Sequence, residues 1–192
     1  MPKYSPTLDR FYSDGLSARM WYDDAWAFLQ EEFQGHAYRM AAYLAMTSPN
    51  ATVQANVTLA LKALRHYKSG QEFSGYLKSV TFALKTYEVH GVVLGGPKIR
   101  CFYENLTGNL TPVTVDRWIA RALGAKSNPK TEIEYMQMSL AIAEFARAVG
   151  EEPARAQAAI WHGIRHAEQV SFNFGDMKEL LWAKTRQLTL EA

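Results

Sequence analysis

Apolar residues recur along this chain at helical spacing, and alternating runs long enough to build a sheet are absent. Trp21, Ala25, Phe28, Leu29 and Phe33 share one helical stripe, which predicts a helix from Trp21 to Phe33 that Gly35 stops. A second apolar helix is expected over His36–Met46, with Tyr38, Ala41, Ala42 and Ala45 along it. Thr47-Ser48-Pro49-Asn50 reads as a helix start, a hydroxyl cap before a proline suited to the first turn. The helix it opens carries Val53, Val57, Ala60, Leu61 and Leu64 on one stripe and runs to Lys68, before the Ser69-Gly70 break. Tyr76 to Val89 is the next expected helix, ending at His90-Gly91.

Adjacent glycines and a proline in Gly91-Val92-Val93-Leu94-Gly95-Gly96-Pro97-Lys98 predict a tight turn, with Pro97 opening a helix that ends at Leu106. A short extended segment, Leu110 to Thr114, leads into a helix over Val115–Leu123 that Gly124 closes. Thr131–Val149, Pro153–Glu168 and Asp176–Leu188 are the remaining expected helices. Residues 1–19 read as a polar lead-in with turn signals at Pro6 and Asp14-Gly15. No internal repeat or low-complexity tract is visible. The expected fold class is all-α, a single two-lobed helical domain over residues 1–192. Residues 40–123 are its core, and 1–39 with 124–192 form the second lobe.

Composition narrows the class of protein. The chain has 192 residues, 48% hydrophobic and 12% aromatic, enough to bury a core without staples. Cys101 is its one cysteine, which excludes an internal disulfide, a four-cysteine zinc site and a four-cysteine iron–sulfur cluster. Met1 to Ser13 contains no apolar run, so a signal peptide is not expected, and no stretch matches a membrane span. The expected location is the cytoplasm, or the host cytoplasm for a viral protein, with no membrane partner. A net charge of +2 argues against a sequence-blind polyanion coat but leaves room for one local basic face.

The stretch from Gly95 to Arg121 holds the candidate chemistry. Glycines at a helix start present free backbone N–H groups that bind phosphate without a side chain, and they let a nucleic-acid backbone approach closely. Lys98, in the first turn, stands at the positive end of the helix dipole, a poor place for a cation and a good one for a neutral, nucleophilic amine. Asp116 follows 18 residues later at the start of another helix. Each residue also has a plain reading. Lys98 fits an ordinary solvated lysine and Asp116 a helix cap. Arg100, Arg117 and Arg121 fit a solvated basic face as well as phosphate contacts, and Asn50 fits a cap region. Trp21, Trp26, Trp118, Trp161 and Trp182 read as core, and Cys101 as a small buried hydrophobe. Phe172 and Phe174 fit loop packing or the lining of a base pocket. His162 and His166 stand four residues apart without a third ligand, so no metal site is expected.

In its order of elements, GGPKIRCFYENLTGNLTPVTVDRWIAR resembles the helix–hairpin–helix DNA glycosylase superfamily, which includes endonuclease-III-like and 8-oxoguanine-glycosylase-like enzymes. Lys98, directly after Gly96-Pro97, falls at the catalytic lysine of that family's bifunctional members. Asp116, in Pro112-Val113-Thr114-Val115-Asp116-Arg117, falls at its catalytic aspartate. Upstream, Ala45-Met46-Thr47-Ser48-Pro49-Asn50-Ala51-Thr52 is similar to a Ser-x-Gln/Asn-x-Thr segment whose amide fills the gap left by a flipped base. The match covers residues 40–123 and extends loosely to Ala159-Ile160-Trp161-His162. Two features depart from the family pattern. The hairpin reads Leu94-Gly95-Gly96 where relatives have glycine, an apolar residue and glycine, and the iron–sulfur cysteines of some relatives are absent.

The resemblance implies a central helix–hairpin–helix motif in a divergent viral or bacterial member of the superfamily. It implies a DNA glycosylase with lyase activity that excises a modified base through Lys98, with Asp116 in support. It needs no cofactor and acts as a monomer on double-stranded DNA. Gly95, Gly96, Pro97, Arg100, Arg117 and Asn50 would contact the DNA. A base-hypermodifying enzyme on the same fold and a non-catalytic DNA-binding module are the alternatives.

Overall fold

The structure, a computed structural model, describes residues 6–170 together with residues 178, 179, 181 and 183. Among them every regular element is helical. The α-helices are α1 (Pro6–Asp14), α2 (Trp21–Phe33), α3 (Ala37–Thr47), α4 (Val53–Ser69), α5 (Lys78–His90), α6 (Pro97–Leu106), α7 (Arg117–Ala122), α8 (Glu132–Val149) and α9 (Pro153–Ala167). Short 3-10 turns cover Leu16–Ala18 and Gln34–His36. The fold is all-α and divides into two compact units, Met1–Asp24 with Glu104–Phe174, and Ala25–Tyr103 with Gly175–Ala192. No described helix is long and apolar enough to cross a membrane.

The first unit is built around α9, which packs against α1, α7, α8 and the Leu16–Ala18 turn. Its sequence explains its central place. Ala154, Ala156, Ala158, Ala159 and Gly163 are all buried and leave a helix surface with little bulk, so neighbouring backbones come close. At Gly163 a β-carbon would overlap the carbonyl oxygen of Phe11, and at Gly15 it would overlap that of Ala159. Two glycines therefore set the separation of α1 and α9.

The end of the loop between α6 and α7, Val113–Val115, is buried without a strand to pair with, so side chains satisfy its backbone. Fully buried Asn105 donates through Nδ2 to the carbonyls of Asn109 and Pro112, each at 2.9 Å, and its Oδ1 accepts from the Thr114 hydroxyl at 2.7 Å. The Tyr135 hydroxyl, from α8, donates to the Val113 carbonyl at 2.9 Å and accepts from the Val115 N–H at 3.0 Å. These contacts fix the chain immediately before Asp116.

The second unit is built around α3, whose residues from Met40 to Thr47 are all buried and which packs on α4 and α5. Arg39 donates through Nε to both oxygens of Glu88, at 3.0 and 3.2 Å, and the buried Tyr43 hydroxyl donates to Glu88 at 2.7 Å. Burial, followed by that hydrogen bond, pushes the Tyr43 phenol far above its ordinary range. The network ties α3 to α5 through groups that would be costly to leave unpaired.

Several sequence expectations need correction. Within the expected polar lead-in over residues 1–19, Pro6 opens α1 and Gly15 follows its end, so both turn signals mark the limits of a helix. Leu8 is buried and the Tyr12 ring meets Phe145 edge-on at 5.5 Å, which stabilises a helix that its own short sequence does not announce. The helix expected at Thr47–Asn50 starts later, because Thr52 is its cap and accepts from the Ala55 N–H at 3.2 Å. Asp116 precedes α7 as its cap and is not inside it. Trp118 is buried, whereas Trp21, Trp26, Trp161 and Cys101 are only half-buried. Phe172, Phe174, Asp176 and Trp182 lie outside the described residues.

Candidate functional site

In the second unit the connection from Gly91 to Gly96 joins α5 to α6. Gly95 has a φ of 154°, and a β-carbon there would collide with the Ile99 side chain, so this position requires glycine. Gly96 caps α6, its carbonyl accepting from the N–H groups of Ile99 at 3.0 Å and Arg100 at 3.3 Å. A β-carbon at Gly96 would meet nothing within 4 Å. Gly95 and Gly96 are both exposed, so a stretch of bare backbone faces solvent at the start of a helix. Pro97 takes the first helical position, Lys98 is half-buried and Arg100 is exposed.

Beside this connection lies an open apolar groove of about 140 Å³. Met46 and Pro49 form one side, Val80 and Phe82 of α5 another, and Leu94, Gly95 and Ile99 the third. The groove therefore brings the glycine connection and the Ser48–Ala51 turn together, two segments far apart in sequence. Thr47 anchors that turn: its hydroxyl lies 2.7 Å from the Tyr43 carbonyl and 2.6 Å from Asn56 Oδ1.

Asn50 occupies the turn with a φ of 58° and an exposed side chain. Asparagine tolerates this left-handed conformation better than other side chains, which accounts for its presence without any ligand. Asn50→Ala is expected to lower stability by about 1 kcal/mol, whereas Asn50→Gly should leave it within about 0.5 kcal/mol. The glycine variant thus separates the turn from the amide. If Asn50 fills the place of a displaced base, Asn50→Gly weakens binding to an abasic duplex more than to an intact one. Equal losses in a fluorescence titration of both duplexes would reduce Asn50 to a turn residue.

Asp116 belongs to the first unit, and its carboxylate accepts three N–H donors. Oδ1 accepts from the backbone N–H groups of Trp118 at 2.9 Å and Ile119 at 3.0 Å, and Oδ2 accepts from the Trp161 indole N–H at 2.9 Å. Three guanidinium groups stand by the Trp118 ring that follows Asp116 in α7. Arg117, Arg121 and Arg165 lie 5.1, 5.0 and 5.4 Å from the centre of the Trp118 ring, and Arg165 lies 4.3 Å from that of Trp161. Arg121 pairs with Glu168 at 2.9 Å. Burial lowers the Arg165 pKa from its ordinary value; Asp116 opposes that effect and Arg117 adds to it.

Lys98 and Asp116 thus fall in different units, each with its own surroundings. Trp161 and Arg165 are the site residues the sequence reading missed. Their spacing of four residues on α9 places them on one helix face, which was the available signal. Among the described residues no group of three or more His, Cys, Asp or Glu side chains is arranged to hold a metal ion.

The model of one protein family, described as a family of unknown function (DUF7178), matches residues 12–168. The chain belongs to that family. The matched region contains the glycine connection, Asn50, Lys98, Asp116 and the α7–α9 arginines. No curated protein and no solved structure matches the chain.

Proposed function

We propose that this protein binds double-stranded DNA through the Gly95-Gly96 connection and excises a modified base from it. The observation that carries the reading is the bare, exposed backbone at the start of α6, where only glycine is accommodated at Gly95. Such a helix start is suited to a phosphate, and Arg100 stands one turn further on. In this reading α5, the connection and α6 act as the helix–hairpin–helix element of a DNA glycosylase. The Lys98 amine attacks C1′ of the deoxyribose and the bond from C1′ to the base breaks. The base leaves with a proton. Ring opening then gives a Schiff base, through which the strand is cleaved and from which water later releases the lysine. The family resemblance assigns to Asp116 the support of the positive charge that develops on the sugar.

One observation favours a second reading. All three donors around Asp116 are structural, since two are backbone N–H groups of α7 and the third is a tryptophan of α9. A carboxylate so engaged needs no catalytic role, which suits a non-catalytic DNA-binding module.

A panel of duplexes, each with a single modified base, separates the two. Strand cleavage after alkali on one member supports excision; binding without cleavage on any member supports the module. In both readings affinity falls as salt rises, and Arg100→Gln should flatten the dependence of log K on log salt by about one unit. Affinity unmoved by a several-fold change in salt would exclude both.

A further inference from the structure

We propose that Arg117, Arg165 and Trp118 form a binding site for a phosphate group, separate from the glycine connection of α6. Arg165 lies over the rings of both Trp118 and Trp161, and its Nε–H is buried with no hydrogen-bond partner. Among the described residues it makes no ion pair. Arg117, over the same Trp118 ring, is exposed and also makes none, so two like charges stand near one another. Arg121 has its own partner in Glu168. The carboxylate of the cluster, Asp116, already accepts three N–H donors.

Half-burying a cation near another cation, with an N–H unsatisfied, is unfavourable unless something offsets it. The Asp116 charge and the two indole faces offset part of the cost. An anion with several acceptor oxygens would offset the rest, and a phosphate matches guanidinium donors in both charge and geometry. Contact with the indole rings neutralises neither guanidinium charge. The site does not depend on the excision reading: duplex binding at Gly95 could fail while this site persists.

Titrating the full chain with sodium phosphate at constant ionic strength, while following tryptophan emission, tests it. A saturable change is expected, because Trp118 and Trp161 lie against the guanidinium groups. Arg117→Gln and Arg165→Gln should each raise the half-saturation concentration about tenfold, the loss of one charge-assisted contact. Arg147→Gln, which removes an exposed charge from α8, should leave it unchanged. A thymidine oligonucleotide without terminal phosphates then identifies the source. Competition with phosphate points to the phosphodiesters of a nucleic acid, and its absence to a small phosphorylated molecule. Arg117 is exposed, so Arg117→Gln is informative even where Arg165→Gln fails to fold. No saturable response, or a half-saturation unchanged in Arg117→Gln, overturns the site.

Discussion

Gly163→Ala is expected to melt about 6–12 °C below the native chain, the consequence of a loss of about 3 kcal/mol. The added methyl would overlap the carbonyl oxygen of Phe11, which is backbone and cannot turn aside as a side chain could. Alanine is the better helix former by about 1 kcal/mol, but that gain is smaller than the cost of forcing α1 away from α9. Gly15→Ala should behave alike, because its β-carbon would meet the Ala159 carbonyl at the same crossing. Gly35→Ala supplies the contrast: Gly35 is exposed and a β-carbon there would meet nothing within 4 Å. Its melting temperature should stay within about 2 °C of the native value. Equal melting of Gly163→Ala and Gly35→Ala would show that α1 and α9 do not approach as closely as described.

The second large effect concerns Asp116 and Lys98 together. Asp116→Ala removes the cap of α7 and leaves the Trp161 N–H without its acceptor, for a combined loss of about 2–4 kcal/mol. Asp116→Asn keeps one acceptor oxygen for the cap but offers the other side of its amide as a donor toward Trp161. It should lose about 1–3 kcal/mol and remain folded. Activity separates the two roles of this residue. If the carboxylate supports sugar-cation chemistry, Asp116→Asn slows base loss about a hundredfold to ten-thousandfold, far beyond what its stability change accounts for. Lys98→Gln should abolish the covalent protein–DNA adduct trapped by borohydride while leaving duplex binding in place. An undiminished adduct in Lys98→Gln would assign the chemistry to another amine. Full base excision by a folded Asp116→Asn would confine Asp116 to capping.

The Arg117→Gln titration and the salt dependence of duplex binding act on different units of the molecule. They can therefore succeed or fail separately, and their combination reports whether the chain contacts phosphate at one place or two.

Much of this molecule follows from sequence alone. The helices from Trp21 to Phe33 and from Thr131 to Val149 are legible because a long amphipathic stripe and a capping residue depend only on local spacing. The start of α6 is legible for the same reason, since Pro97 after two glycines dictates a local geometry. Composition, with one cysteine, excluded an internal disulfide and a four-cysteine cluster. Other features were decided by contacts between segments distant in the chain. Helix α1 forms because Leu8 and Tyr12 find partners and because two glycines let it approach α9. The three-donor setting of Asp116 requires Trp161, which lies on another helix. Arg165 is unusual only through the rings above which it lies and the neighbour it faces. Periodicity and caps record how a segment folds against water. The burial of a charge, the partner of a carboxylate and the clearance at a glycine are set by packing between remote segments, which local pattern does not encode.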